Sequence, residues 1–256
     1  MTGVVTRIAR VQQIMGMPIS VHLRGTATAA DRAAAVDAVF TELREVDRLF
    51  STYDPDSEIC RLDRGELTVA DCDPAVGEVL ALADEARLRT SGYFDIWLPT
   101  PGGGPRLDPS GLVKGWAAER AARELARLAG DDHYLNAGGD IAVHSASPVG
   151  WRVGIENPDS PGTVLGAVEV RGGGVATSGT AHRGAHLFDP TTGRPATALR
   201  SVTVTGPSLL WADVYATAAC ARGADALDWL AALDGYEGVV VTPTGVVSTT
   251  PGMRLR

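Results

Sequence analysis

Asp213 and Thr217 stand four residues apart in Trp211-Ala212-Asp213-Val214-Tyr215-Ala216-Thr217-Ala218, a run with helical spacing. Residues at i and i+4 share one helix face. A carboxylate and a hydroxyl offered together are hard oxygen ligands that suit Mg²⁺, which keeps few protein ligands and completes its shell with water and phosphate oxygens. Asp213 equally suits the first turn of a helix, where its charge meets the dipole. Leu107-Asp108-Pro109-Ser110-Gly111-Leu112-Val113-Lys114-Gly115-Trp116 is a small-residue turn opening a helix. Free N–H groups there can hold an anion, Lys114 adds positive charge, and Asp108 can accept from a ring N–H or a sugar hydroxyl. An ordinary capped helix start reads the same way. His182 and His186 lie among glycines and strand-forming residues, so they need not face one another. His186, in a strand leading to the Asp189-Pro190 turn, could act as a general base near neutral pH or be a hydrogen-bonded structural residue. Asn136-Ala137-Gly138-Gly139-Asp140 places two glycines after a strand, where backbone can approach a ligand closely or simply turn tightly.

Other chemistries are excluded. Neither GxxxxGK[ST] nor a glycine fingerprint between strand and helix occurs. The net charge of −8 argues against non-specific nucleic-acid binding, which needs a cationic surface. Cys60, Cys72 and Cys220 match no zinc or redox spacing and are expected to be free thiols. No apolar run approaches the ~20 residues of a membrane span. The N-terminal residues show neither an apolar signal core nor a lipobox cysteine, so a cytoplasmic location is expected.

Elements that could position these residues follow from periodicity. Two strands are expected within 4–23, around Met15-Gly16-Met17-Pro18, with Ile19, Val21 and Leu23 alternating. Residues 29–49 predict a helix, with Val36, Val39, Phe40, Leu43, Val46 and Phe50 on one stripe. A polar loop, 51–58, leads to a short helix over 58–63 capped by Ser57. Helices are expected over 74–90 and about 111–129, with a loop at 101–105. Strands follow over 133–136, 140–145, 151–155, 164–170, 174–178, 185–188 and 201–206. Helices over 209–221 and 223–233 come next, and a hairpin of 238–242 with 246–248 closes the chain. Helices and strands do not alternate strictly, so the fold class is α+β, with mixed or antiparallel sheets and packed helices. At 256 residues and 45% hydrophobic, the chain can bury one large domain spanning 1–256.

Taken in order, the segments resemble the ApbE family of flavin transferases. Ser51-Thr52-Tyr53 with Pro55-Asp56-Ser57 is similar to its STY-x-PDSE/D element, and Ser91-Gly92-Tyr93-Phe94-Asp95 to its S/G-G-x-FD. Leu107-Asp108 through Gly111-Leu112-Val113-Lys114-Gly115-Trp116 is similar to LDLGGIAKGY, and Asn136 to Asp140 to N-x-GGD. Ala176-Thr177-Ser178-Gly179 with His186-Leu187-Phe188-Asp189-Pro190-Thr191-Thr192-Gly193 is similar to ATSG…HIIDPRTG, and Ala212 to Ala218 to ADALATA. Six modest motifs in the right order make a specific match. The resemblance covers nearly the whole chain, but Ile96 to Leu107 is shorter and richer in Gly and Pro than in relatives.

The resemblance implies a two-lobed fold and a flavin site built around Met15, Tyr53, Tyr93, Phe94, Asp95, Asp108, Lys114 and Leu187. It implies Mg²⁺ on Asp213 and Thr217, with a backbone carbonyl from the Gly111 turn, and catalysis by His186. The implied reaction moves FMN from FAD, the substrate, to a Thr or Ser hydroxyl of an acceptor protein and releases AMP. Hydrolysis of FAD to FMN and AMP, or flavin binding without turnover, would draw on the same residues.

Overall fold

The computed structural model describes residues 6–100, 103–179, 188–190 and 194–256. The chain opens on a hairpin, β1 (Thr6–Ile14) and β2 (Met17–Gly25), whose two-residue turn puts Met15 and Gly16 at φ 55° and 69°. Both angles are positive, as a right-twisted hairpin requires. Helix α1 (Ala29–Phe50) starts where the Thr28 hydroxyl accepts from Asp31 N–H at 3.1 Å, and it buries the expected stripe from Val36 to Phe50. Next come α2 (Glu58–Asp63), capped by Ser57, and α3 (Pro74–Arg89), capped by Asp73 with Pro74 in the first turn.

Within the segment assigned no regular structure from sequence lies a small hairpin, β3 (Trp97–Leu98) with β4 (Arg106–Leu107). Helix α4 (Ser110–Ala122) stops short of residue 129 and continues as a 3₁₀ segment over Arg123–Arg127. Bonds from Leu128 N–H to Leu125 and from Asp131 N–H to Leu128 tighten the chain, so that both leucines are buried before the next strand.

Strands β5 (Asp132–Ala137), β6 (Asp140–His144), β7 (Trp151–Glu156), β8 (Val164–Val170) and β9 (Gly172–Gly179) follow. Beyond them lie the short pair β10 (Phe188–Asp189) and β11 (Arg194–Pro195), and then β12 (Ser201–Gly206). Of the strand expected at 185–188, only its last residue is described. Helix α5 (Leu209–Arg222), capped by Ser208, ends at Gly223 with φ 70°. The helix expected over 223–233 is a 3₁₀ turn followed by α6 (Ala226–Ala231), because that glycine breaks the run. The chain closes with the hairpin β13 (Glu237–Val241) and β14 (Val247–Thr249).

The fold is α+β. An eight-stranded antiparallel sheet runs in the order β1-β2-β5-β6-β9-β12-β13-β14. Helices α1, α4 and α5 bury the larger core against one face. A smaller core of Val143, Val153, Val168, Val175, Val239 and Met253 includes residues of the β7–β8 hairpin. Alternation along β6 separates the two: Asp140 and Ala142 point toward the helices, whereas Val143 belongs to the smaller core. The three cysteines are unpaired. Among the described residues, no helix is long and apolar enough to cross a membrane.

Candidate active site

The carboxylates and the lysine converge at the α4–α5 contact. Gly115 allows the helices to touch there: a Cβ on it would lie 2.9 Å from the Asp213 Cβ and 3.2 Å from the Leu209 carbonyl. Its N–H instead donates to Asp213 Oδ2 at 3.1 Å. Asp213 is the fifth residue of α5, past the first turn, so its place is not that of a capping acid. Lys114 Nζ lies 2.5 Å from Asp140 Oδ2 and 3.6 Å from Asp213 Oδ1. Asp140 Oδ1 accepts from Thr177 N–H at 3.1 Å. Across from them, Thr217 Oγ1 and Ser178 Oγ share a hydrogen bond of 2.9 Å.

Two buried carboxylates thus face one ammonium. Burial, and then the neighbouring Asp140, push the Asp213 carboxyl well above the usual carboxylate range, with Lys114 opposing. This is a local excess of negative charge in a place that disfavours it. Among the described residues, no three His, Cys, Asp or Glu side chains converge as a metal cage. The donors on hand are carboxylate, hydroxyl and carbonyl oxygens.

These groups border a cavity of about 400 Å³. Asp213, Thr217, Lys114, Gly111, Asp108 and Ser178 line it on the polar side. Tyr93, Phe94, Asp95, Trp97, Leu98 and Pro99, from one stretch of chain, line it too. Glu156 and Pro158, at the tip of the β7–β8 hairpin, reach it as well, and so does Gly138. The β5–β6 turn has Gly138 and Gly139 at φ 60° and 103°, and a Cβ at Gly138 would strike Met17 Sδ at 2.8 Å. Arg222 lies 4.3 Å over the Tyr93 ring, and Arg87 pairs with Asp95 at 3.1 Å. Asp108 pairs with Arg106 at 2.7 Å, and its Oδ1 accepts from Ser110 N–H at 3.2 Å, taking one donor at the helix start.

Of the residues singled out from the sequence, Tyr93, Phe94, Asp95, Asp108, Gly111, Lys114, Asp213 and Thr217 therefore share one cavity. Met15 and Tyr53 are not among its lining residues: Met15 packs on the core, its N–H donating to Asp47 at 3.1 Å, and Tyr53 is exposed. His182, His186 and Leu187 lie outside the described residues. Sequence reasoning gave no role to Asp140, Ser178, Trp97 or Glu156. For Asp140 and Ser178 a signal existed, since each sits inside a recognised motif. For Glu156 none did, because only the hairpin geometry carries it to the cavity.

A profile of the ApbE family matches residues 15–100 and 97–240. The chain belongs to the ApbE family. An FAD:protein FMN transferase of Rhodobacter capsulatus is 36% identical over 166 residues, a match covering 59% of this chain and 31% of that protein. The Escherichia coli K12 protein of the same name is 30% identical over 151 residues, covering 54% and 43%. The matched region thus spans less than half the length of these curated ApbE relatives. In fold, the ApbE protein of Thermotoga maritima superposes with a TM-score of 0.85 at 18% identity, covering 96% of this chain and 97% of that one. The flavin transferase ApbE of Vibrio cholerae gives 0.79 at 22% identity, with 97% and 98% covered. At such identities these two neighbours speak to the ApbE fold alone.

Proposed function

We propose that this chain transfers FMN from FAD to a Thr or Ser hydroxyl of an acceptor protein, releasing AMP. The observation that carries this reading is the cluster of Asp213, Asp140 and Lys114 beside a cavity that Tyr93, Phe94 and Trp97 also line. The charged groups suit a diphosphate and the aromatic rings a flat flavin. The names of the ApbE relatives point the same way.

The donor set fits Mg²⁺. Asp213 and Thr217 would hold it, with the Gly111 carbonyl as a further oxygen, and the excess negative charge around Asp213 is what a divalent cation relieves. Bound there, Mg²⁺ would neutralise the diphosphate and stabilise the AMP leaving group. Lys114 adds positive charge beside the anhydride, and Asp140 fixes where that charge sits. The wall from Tyr93 to Pro99 shields the flavin end from water. In the reaction, the acceptor oxygen forms a bond to the FMN phosphorus. The anhydride P–O bond breaks, and AMP departs with the bridging oxygen. His186 takes the hydroxyl proton, a role that rests on its place in the sequence.

The test is AMP release from FAD, with and without an acceptor protein, alongside mass spectrometry of the acceptor. Acceptor-dependent AMP and a covalent FMN adduct are expected. FMN alone should give no adduct, because it has no anhydride to drive transfer. AMP release unaffected by the acceptor, with no adduct, would make the chain an FAD hydrolase. No AMP under either condition would refute the reading.

A further inference from the structure

Trp97 differs from the other four tryptophans of the chain. Trp116 stands edge-on to Phe50 and beneath Arg120. Trp151 does the same with Tyr134 and Arg24. Trp211 lies against Tyr215 and Arg89, and Trp229 against Tyr215 and Arg222. Among the described residues, no aromatic ring or guanidinium group lies against Trp97, and it is 46% exposed. It nevertheless lines the cavity. Indole surface left in water forgoes the stabilisation that burial would bring, and a flat ring stacked on it would recover that.

The mount is firm. Trp97 N–H donates to Asp95 Oδ1 at 3.0 Å, and Trp97 pairs across the β3–β4 hairpin with Leu107. Leu107 N–H is held by Asp63 at 2.8 Å, and Asp108 N–H donates to the Ile96 carbonyl at 2.8 Å. The ring therefore stands on backbone fixed at four points. Tyr93, Phe94, Leu98 and Pro99 line the cavity beside it.

We propose that Trp97 is the platform on which the isoalloxazine of FAD stacks, so that the short 96–107 segment selects flavin over other nucleotides. This rests on the reading of the cavity as an FAD site. The geometry carries it because Trp97 is the one tryptophan that both borders the cavity and lacks a ring or cation partner among the described residues.

The experiment is a titration of FAD, followed by flavin fluorescence, on the wild type, Trp97→Ala and Trp97→Phe. ADP, which lacks the isoalloxazine, is titrated calorimetrically on the same proteins. Trp97→Ala should weaken FAD by about 10- to 100-fold, Trp97→Phe by no more than about threefold, and ADP should bind all three alike. Undiminished FAD binding to Trp97→Ala would overturn the inference, and so would an equal loss for ADP. A wild type that binds no FAD would overturn both this inference and the reading beneath it.

Discussion

Two clusters of buried charge sit on the helix side of this sheet, and they are built oppositely. At one end of the sheet, Arg32 and Asp131 pair at 2.7 Å with almost no solvent contact. Asp131 also accepts from the N–H groups of Thr26 and Ala27, at 2.7 and 3.0 Å. One positive charge meets one negative charge. Burial pushes the Asp131 carboxyl up, but the Arg32 bond and the two amides outweigh it and hold the group below its usual value. At the cavity, two carboxylates share one ammonium, and burial, then the neighbouring Asp140, lift Asp213 against the pull of Lys114. A satisfied cluster holds the fold together. An unsatisfied one, open to a cavity, is a site that awaits charge from a ligand.

The sharpest way to break this comparison is Asp213→Ala. Transfer should fall by about a thousandfold or more, since a principal oxygen ligand is lost. The melting temperature should stay or rise, because one member of a strained like-charge pair is gone. A variant that transfers FMN normally at limiting Mg²⁺ would end the assignment. The converse is Asp131→Ala. It strands Arg32 in the interior and should lower stability by about 3–5 kcal/mol, while activity per folded molecule is unchanged. Urea unfolding measures the first and a specific-activity assay the second. If Asp131→Ala melted normally, the two clusters would not differ as described.

The parts that could be seen in the sequence were those with local signals. The stripe on α1, the Ser57 cap and the glycine turn at 138–139 were visible because propensity and periodicity act over a few residues. Asp213 and Thr217 were visible because helix geometry puts i and i+4 together. The β3–β4 hairpin was not, since strands of two residues show no alternation. The end of α4 was misplaced because Leu125 and Leu128 continue a helical pattern that the backbone tightens to bury. The charge cluster itself was hidden, because Lys114, Asp140 and Asp213 come from α4, β6 and α5 and meet only when the helices pack on the sheet. Nor could the sequence distinguish Trp97 from its four packed counterparts. Partnership is a tertiary property.

His133 sharpens the comparison at its weakest point: a buried ionisable group that forms no ion pair among the described residues. It is almost fully buried on β5, its Nδ1 has no hydrogen-bond partner among the described residues, and the His144 ring lies 5.1 Å away. Burial, and then repulsion from His144, hold its pKa down at about 4, with Asp132 and Asp131 pulling weakly the other way. His133 escapes the cost of buried charge by staying neutral. In the unfolded chain the imidazole titrates near its ordinary value of 6.5. Between the two values the unfolded state binds more protons, so stability rises with pH and is lost as pH falls through this window. From about pH 7.5 to about pH 5 the loss attributable to this group should be roughly 2 kcal/mol. Asp213 acts with the opposite sign, since its raised folded pKa favours the native state as pH falls, so the wild-type slope alone does not isolate His133. The difference between wild type and His133→Leu does. Urea denaturation of both proteins at the two pH values should show the variant losing less stability on acidification, by about that amount. Parallel pH profiles would mean that His133 is already solvated in the folded state, and that the sheet does not bury a neutral imidazole there.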